Sequence, residues 1–208
     1  AQDNAMALYY LAEMYQEGEG LEPNLSEAIP LYEKSASLGY AEAQTYLGVI
    51  FETGRGVEHD YSSAAHWFAE AAKQNHFGAL VHLAKLTMNG AGVPQDESKA
   101  FSMFQYASEN ENVEGLRMAG YCYENAIGVD KDEVMAFKCY VEAASFGDAS
   151  SQFGLGTCYQ YGIGTEIDFG EAFQRYMASA HQGFASAQFN LALMMINEIG
   201  VERDLENG

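Results

Sequence analysis

The side chains able to do chemistry in this chain are few and poorly spaced for it. Five histidines, His59, His66, His76, His82 and His181, never fall in a pattern such as His-x-x-x-His with a carboxylate. A zinc site needs such a pattern to bring two imidazoles to one face. The run Asp130-Lys131-Asp132-Glu133 opens like a calcium loop but lacks the central Gly and the closing Glu. A loop leading into a helix cap is the simpler reading. Pairs of the form Gly-x-Gly invite comparison with phosphate loops. None follows a strand pattern or leads into Gly-Lys-Ser/Thr, so they read as turn glycines. No Ser-His-Asp or Cys-His grouping has a context that argues for nucleophilic catalysis. Catalytic, cofactor-binding and metal-binding residues are therefore not expected, and the chain does not read as an enzyme. Cys122, Cys139 and Cys158 are odd in number and irregular in spacing, which is no disulfide framework. Free thiols lean toward a reducing compartment, the cytoplasm. Asn24-Leu25-Ser26 forms a glycosylation sequon, but Asn24 also sits where a helix cap belongs, and that role is preferred.

Cys122 and Cys158 lie 36 residues apart, and that spacing organises the whole chain. The clearest marker is the Gly-x-Gly pair: Gly18/Gly20, Gly54/Gly56, Gly90/Gly92 and Gly162/Gly164, weakened to Ala126/Gly128 and Glu198/Gly200. A repeat of this period predicts an all-α solenoid of stacked helix-turn-helix units. The expected repeats are 5–40, 41–76, 77–112, 113–148 and 149–184, with a partial sixth over 185–208. Cys122 and Cys158 then sit on neighbouring first helices about 8–10 Å apart, too far for a bridge.

Within the second repeat, Ala43, Tyr46, Leu47, Ile50 and Phe51 fall at helical spacing. A glycine loop follows, then Asp60, whose carboxylate can cap the open amides of a second helix. That helix is marked by Ala64, Ala65, Trp67, Phe68, Ala71 and Ala72. The cap position recurs as Asn24, Asp60, Asp96, Asp132, Asp168 and Asp204, with capping boxes expected at Glu27 and Glu171. Second helices are expected to end in the left-handed conformation at Gly39, Asn75, Glu111, Gly147 and Gly183. Pro30 falls inside a second helix, which predicts a kink. The third and fourth repeats carry Thr87 for an aromatic, Ala119 for a Leu, Gly115 for an Ala and Ala126 for a Gly. Fraying or altered curvature is expected there.

Composition narrows the partners. The net charge of −20 repels a phosphate backbone unless the basic residues cluster. From Lys34 to Arg203 they are scattered, so nucleic acid and anionic membrane are excluded as expected partners. A protein segment of basic or mixed charge fits better, although acidity also serves to keep an elongated scaffold soluble. No run of about 18 apolar residues is present to span a bilayer. No basic segment leads into an apolar stretch at the start. The chain opens on Ala and stops midway through a sixth repeat, so it reads as a piece of a longer protein.

The pattern Ala41-Glu42-Ala43, Leu47-Gly48-x-x-Phe51, Gly54-Arg55-Gly56-Val57-x-x-Asp60, Ala64-x-x-x-Phe68 and Ala71-Ala72 resembles the Sel-one-like repeat. That family is a branch of the tetratricopeptide-like superfamily. The fifth repeat echoes it with Leu155-Gly156-x-x-Tyr159, Gly162-x-Gly164 and Asp168. The resemblance implies a right-handed superhelix whose inner surface is lined by the first helices. It also implies an adaptor that assembles protein complexes. The chain departs from a cysteine-rich subgroup that ties each hairpin with a disulfide. The Ser-x-x-Lys motif of β-lactam enzymes is absent too, since no Lys has a Ser three residues before it.

A partner is expected on first-helix positions not needed for packing. These form one stripe: Tyr9, Glu13, Thr45, Val49, Val81, Lys85, Arg117, Tyr121, Phe153, Thr157, Phe189 and Leu193. Glu17, Asn89, Asn125 and Tyr161 lie one turn further. Arginine beside exposed aromatics is what binding hot spots favour. In one reading this groove seats a peptide, with Lys85 and Arg117 on a carboxylate and Tyr121, Phe153 and Phe189 on apolar side chains. In the other, Lys85 and Arg117 pair with Glu114 or Glu124 and the aromatics pack between repeats. The rival function is self-association through the apolar segment 189–196, a homo-oligomer built end to end through residues 185–208.

Overall fold

The computed structural model of the chain describes residues 2–18 and 22–200. Gly20, Arg203 and Asp204 of the repeat pattern lie outside the described residues. All regular structure among the described residues is helical: α1 (Gln2–Glu17), α2 (Leu25–Ser37), α3 (Ala41–Thr53), α4 (Tyr61–Ala72), α5 (Phe77–Asn89), α6 (Glu97–Glu109), α7 (Val113–Asn125), α8 (Glu133–Ser145), α9 (Ala149–Tyr161), α10 (Phe169–His181) and α11 (Ala185–Ile196). The chain divides into two compact units, Ala1–Asn110 with α1–α6 and Glu111–Gly208 with α7–α11. Within each unit, consecutive helices pack on one another in chain order.

The repeat's loop chemistry explains the hairpins. First helices end left-handed at Gly54, Gly90 and Gly162, with φ of 66°, 68° and 73°. Ala126 adopts the same conformation at φ 57°. The caps form where expected. Asn24 accepts from the amides of Ser26 and Glu27, Asp60 from those of Ser62 and Ser63, Asp96 from Lys99, and Asp132 from Met135. The Ser63 hydroxyl and amide hold the Asp60 carboxyl below its ordinary range. Each cap's own amide turns back to the first helix: Asp60 N donates to Phe51 O at 3.0 Å, and Asp168 N to Tyr159 O at 2.9 Å. That bond folds the second helix onto the first. It also corrects the capping-box expectation, because the amide that Glu171 would bind is already engaged. Glu171 pairs instead with Arg175 at 3.0 Å.

The second turn is left-handed at Gly39, Gly147 and Gly183, and also at Asn75 (φ 63°) and Glu111 (φ 61°). Pro30 sits on the exposed side of α2, which stays helical throughout. Alanines let the helices approach and rings fill the space beside them. In the first unit Ala28, Tyr32, Ala43 and Leu47 form one cluster, and Ala64, Phe68, Ala79 and Leu86 another. In the second unit the clusters are Ala136, Tyr140, Leu155 and Cys158, then Ala172, Tyr176, Ala187 and Met194. Met194 is 2% exposed, so it belongs to the core rather than to an assembly face. A Lys there would damage the fold and could not report on self-association.

The irregular Thr87 leaves a visible mark. Where Phe51 and Tyr159 put rings into the core, Thr87 borders a cleft of about 440 Å³ walled by Ala65, His66, Ala69, Leu83 and Val93. The Thr87 hydroxyl only bonds its own helix, at Leu83 O. Thr87→Tyr is therefore expected to stabilise the chain by about 1 kcal/mol through cavity filling. A higher urea midpoint at unchanged slope would show it. A midpoint that stays or falls would mean that the cleft cannot admit a ring.

Candidate functional site

The stripe separates into residues committed to packing and residues that form a surface. In the first unit, the Tyr9 hydroxyl donates to Glu13 Oε1 at 2.7 Å. Its ring meets Tyr32 and Tyr40 edge-on at 5.6 and 5.4 Å. Burial, then the bond to Glu13, holds the Tyr9 phenol above its ordinary range. Thr45 donates to Ala41 O and meets His76 Nδ1 at 3.1 Å. Val49 packs, half-buried, on the cluster around Phe68. Val81 is 0% exposed, which removes it from the binding face. Lys85 is half-buried on α5.

In the second unit, four stripe residues converge. Arg117 and Tyr121 of α7 and Phe153 and Thr157 of α9 line one recess of about 330 Å³. Glu124, Tyr140, Ser150, Gly154 and Phe184 complete it. Tyr121 is 41% exposed at the rim. The Tyr140 hydroxyl donates to Glu124 Oε2 at 2.8 Å. Burial, reinforced by Glu124, pushes that phenol well above its usual range, while Arg117 pulls the other way. Thr157 bonds Phe153 O and lies 3.2 Å from the Tyr176 hydroxyl. Phe189, 64% exposed, and Leu193 stand on α11, outside the recess.

Part of the packing alternative is realised. Arg117 reaches Glu114 at 3.4 Å, and Phe153 tilts against Tyr176 and Phe184 at 5.6 and 5.3 Å. Such a long, partly exposed ion pair contributes little, and one carboxylate does not exhaust the five donors of a guanidinium. Gly154 and Phe184 escaped the sequence reading, whereas the repeat pattern marks Tyr140 as a packing aromatic of the second helix. The signal for Gly154 lies in its place in the repeat, which Tyr46, His82 and Met118 hold elsewhere.

The thiols are unbridged and buried. Burial lifts Cys139 to about 11 and Cys158 to about 12, so both stay protonated at neutral pH. Among the described residues, no group of three or more His, Cys, Asp or Glu is placed to hold a metal ion. No helix among them is long and apolar enough to cross a membrane.

Comparison with known proteins agrees with this architecture. The Sel1 repeat family model matches residues 5–40, 41–76, 78–112, 113–148, 149–180 and 185–208. No curated protein matches the chain. Among solved structures, a Sel1 repeat protein from Oxalobacter formigenes is 31% identical with a TM-score of 0.90, over 99% of this chain and 82% of that one. The antigen c5321, a protective antigen of uropathogenic Escherichia coli with an SLR fold, is 30% identical with a TM-score of 0.79. That match covers 95% of this chain but only 42% of c5321. The immunity protein Pa5087 from Pseudomonas aeruginosa shares the fold at 22% identity and a TM-score of 0.64, over 89% of this chain and 68% of that one. Proteins built from this repeat generally mediate protein–protein interactions and are generally non-catalytic scaffolds. With the repeat matched from residue 5 to residue 208 and hairpins of the same kind in relatives at 30% and 31% identity, this chain belongs to the Sel1 repeat family.

Proposed function

We propose that this chain is a non-enzymatic adaptor that holds a segment of a partner protein on its first-helix face, anchored at the recess of the second unit. The convergence of Arg117, Tyr121, Phe153 and Thr157 on one cavity carries the reading. A guanidinium beside aromatic walls is the composition of a binding hot spot. The net charge of −20 favours a segment of basic or mixed charge, and Arg117 offers one place for a carboxylate within it. Three buried, unbridged thiols fit a reducing compartment. The test is pull-down followed by cross-link mapping, then affinity measurement with Arg117→Glu. Cross-links should cluster at Tyr121, and charge reversal should weaken partner binding by about tenfold or more. Unchanged affinity would sink the reading.

A second reading has its own observation. Phe189, Leu193 and Ile196 are exposed on α11 at the spacing of one helix face, and contiguous apolar surface of this kind marks interfaces. End-to-end self-association would use that face. Ile196→Lys, at a position 76% exposed, should then abolish concentration-dependent dimers in sedimentation without loss of helicity. Dimers that persist would discard this alternative.

A further inference from the structure

We infer that the recess of the second unit is an open ring socket, which the partner segment fills with a planar side chain bearing a hydrogen-bond donor: Tyr, His or Trp. The inference rests on the adaptor reading above and names what the anchor takes.

The argument comes from two filled copies of the same site in the first unit. Tyr46 of α3 lies on Tyr32 of α2 with ring centroids 4.6 Å apart, and its hydroxyl donates to Gln16 Oε1. His82 of α5 stacks on Phe68 of α4 at 4.7 Å and an interplanar angle of 13°. Its Nδ1 lies 2.9 Å from Glu52 Oε2. Since a carboxylate only accepts, that Nδ1 carries the proton. Both copies have a ring below, a donor-bearing ring above, and a side-chain oxygen on the first helix that receives the donor. In the second unit Tyr140 is the ring below, and Glu124 holds the place of Gln16 and Glu52. Gly154 holds the place of Tyr46 and His82.

The backbone does not require glycine at that position. Gly154 lies inside α9 at ordinary helical φ, where glycine is a poorer helix former than Ala. A Cβ built there would lie 3.1 Å from Cδ1 and Cε1 of Tyr140, so a side chain at this place needs the Tyr140 ring to give by a few tenths of an ångström, and the recess opens beyond that contact. In the next repeat, Asn190 takes the corresponding place. The volume of about 330 Å³ is at the small end of ligand pockets, about 300–1,000 Å³, and suits one side chain. Glu124 has capacity beyond the Tyr140 bond. Gln16 Oε1 already accepts from both Tyr32 and Tyr46, and a carboxylate has about four lone-pair sites. Arg117 on the same wall offsets the attraction of Glu124 for a Lys or Arg occupant.

The test uses the whole chain and p-cresol, the tyrosine side chain as a free molecule, with toluene as control. In NMR spectra p-cresol should shift the Gly154 amide and Tyr140 ring signals with a Kd of about 1 mM. Toluene, without the donor, should bind about tenfold more weakly. Gly154→Tyr supplies the ring in cis and should abolish the p-cresol shifts. If that variant fails to fold, Glu124→Ala carries the test and should reduce p-cresol to the level of toluene. Equal binding of p-cresol and toluene, or p-cresol binding that ignores whichever variant is folded, overturns the socket. Failure of the two ideas can be told apart. Partner capture lost on Arg117→Glu with no p-cresol preference removes the socket alone. A p-cresol preference with capture untouched by that charge reversal removes the adaptor reading.

Discussion

Gly164→Ala should destabilise the chain by more than about 3 kcal/mol, while Gly162→Ala, two residues earlier in the same loop, should cost about 1 kcal/mol. Both glycines have positive φ, 67° for Gly164 and 73° for Gly162, so both variants carry the left-handed penalty of about 1–2 kcal/mol, partly offset by lost unfolded-state entropy. Their surroundings separate them. A Cβ on Gly162 would meet Ile167 Cγ1 at 3.1 Å and Thr165 O at 3.4 Å, and a side chain can yield. Ala126 shows that the place tolerates a methyl, at φ 57°. A Cβ on Gly164 would lie 2.0 Å from Glu133 O and 2.5 Å from its carbonyl carbon. Those atoms open α8 and cannot rotate aside, so the loop must lift off the preceding hairpin. Gly92 against Tyr61 and Gly200 against Phe169 repeat the contact at 2.3 and 2.2 Å. In the pairs Gly90/Gly92 and Gly162/Gly164 the first glycine thus serves the turn, and the second also serves the stacking. Urea denaturation of both variants is the measurement, and equal losses would refute this division of roles.

Phe68→Ala is expected to cost about 3–5 kcal/mol. The ring is fully buried on α4 and occupies the space above Gly48, whose added Cβ would fall 2.5 Å from Phe68 Cε1. Truncation opens a cavity with glycine for a floor, so no side chain can collapse into it from that side. It also removes the surface on which His82 stacks. Phe68→Tyr should cost less than about 1 kcal/mol. The corresponding hydroxyls of Tyr140 and Tyr176 bond Glu124 and Gln160 at 2.8 and 2.6 Å, and Glu52 stands at that place beside Phe68. A Phe68→Ala loss below about 2 kcal/mol in chemical denaturation would show that the hairpins pack more loosely than these distances imply.

The periodicity carried the helices, the caps at Asp60 and Asp132, and the left-handed turns as far as Asn75 and Glu111. Each of these depends on residues within a few positions, through hydrogen bonds whose geometry any such segment shares. The sites where a partner could act obeyed a different logic. Val81 and Arg117 hold equivalent places in their repeats, yet Val81 is buried and Arg117 lines a recess. Met194 reads as the centre of an exposed apolar run and proves to be core. Glu171 has the spacing of a capping box, but Asp168 N is taken by Tyr159 O.

Gly154 is the sharpest case. On paper it is a weak residue in a helix, and its meaning lies in Tyr140 below it and Glu124 beside it, on two other helices. Chain-local energetics therefore dictated the hairpin and its 36-residue period, because caps and turns close over short spans. Side-chain size across three packed helices dictated which repeat is filled and which is open, and that volume exists only once the hairpins have stacked.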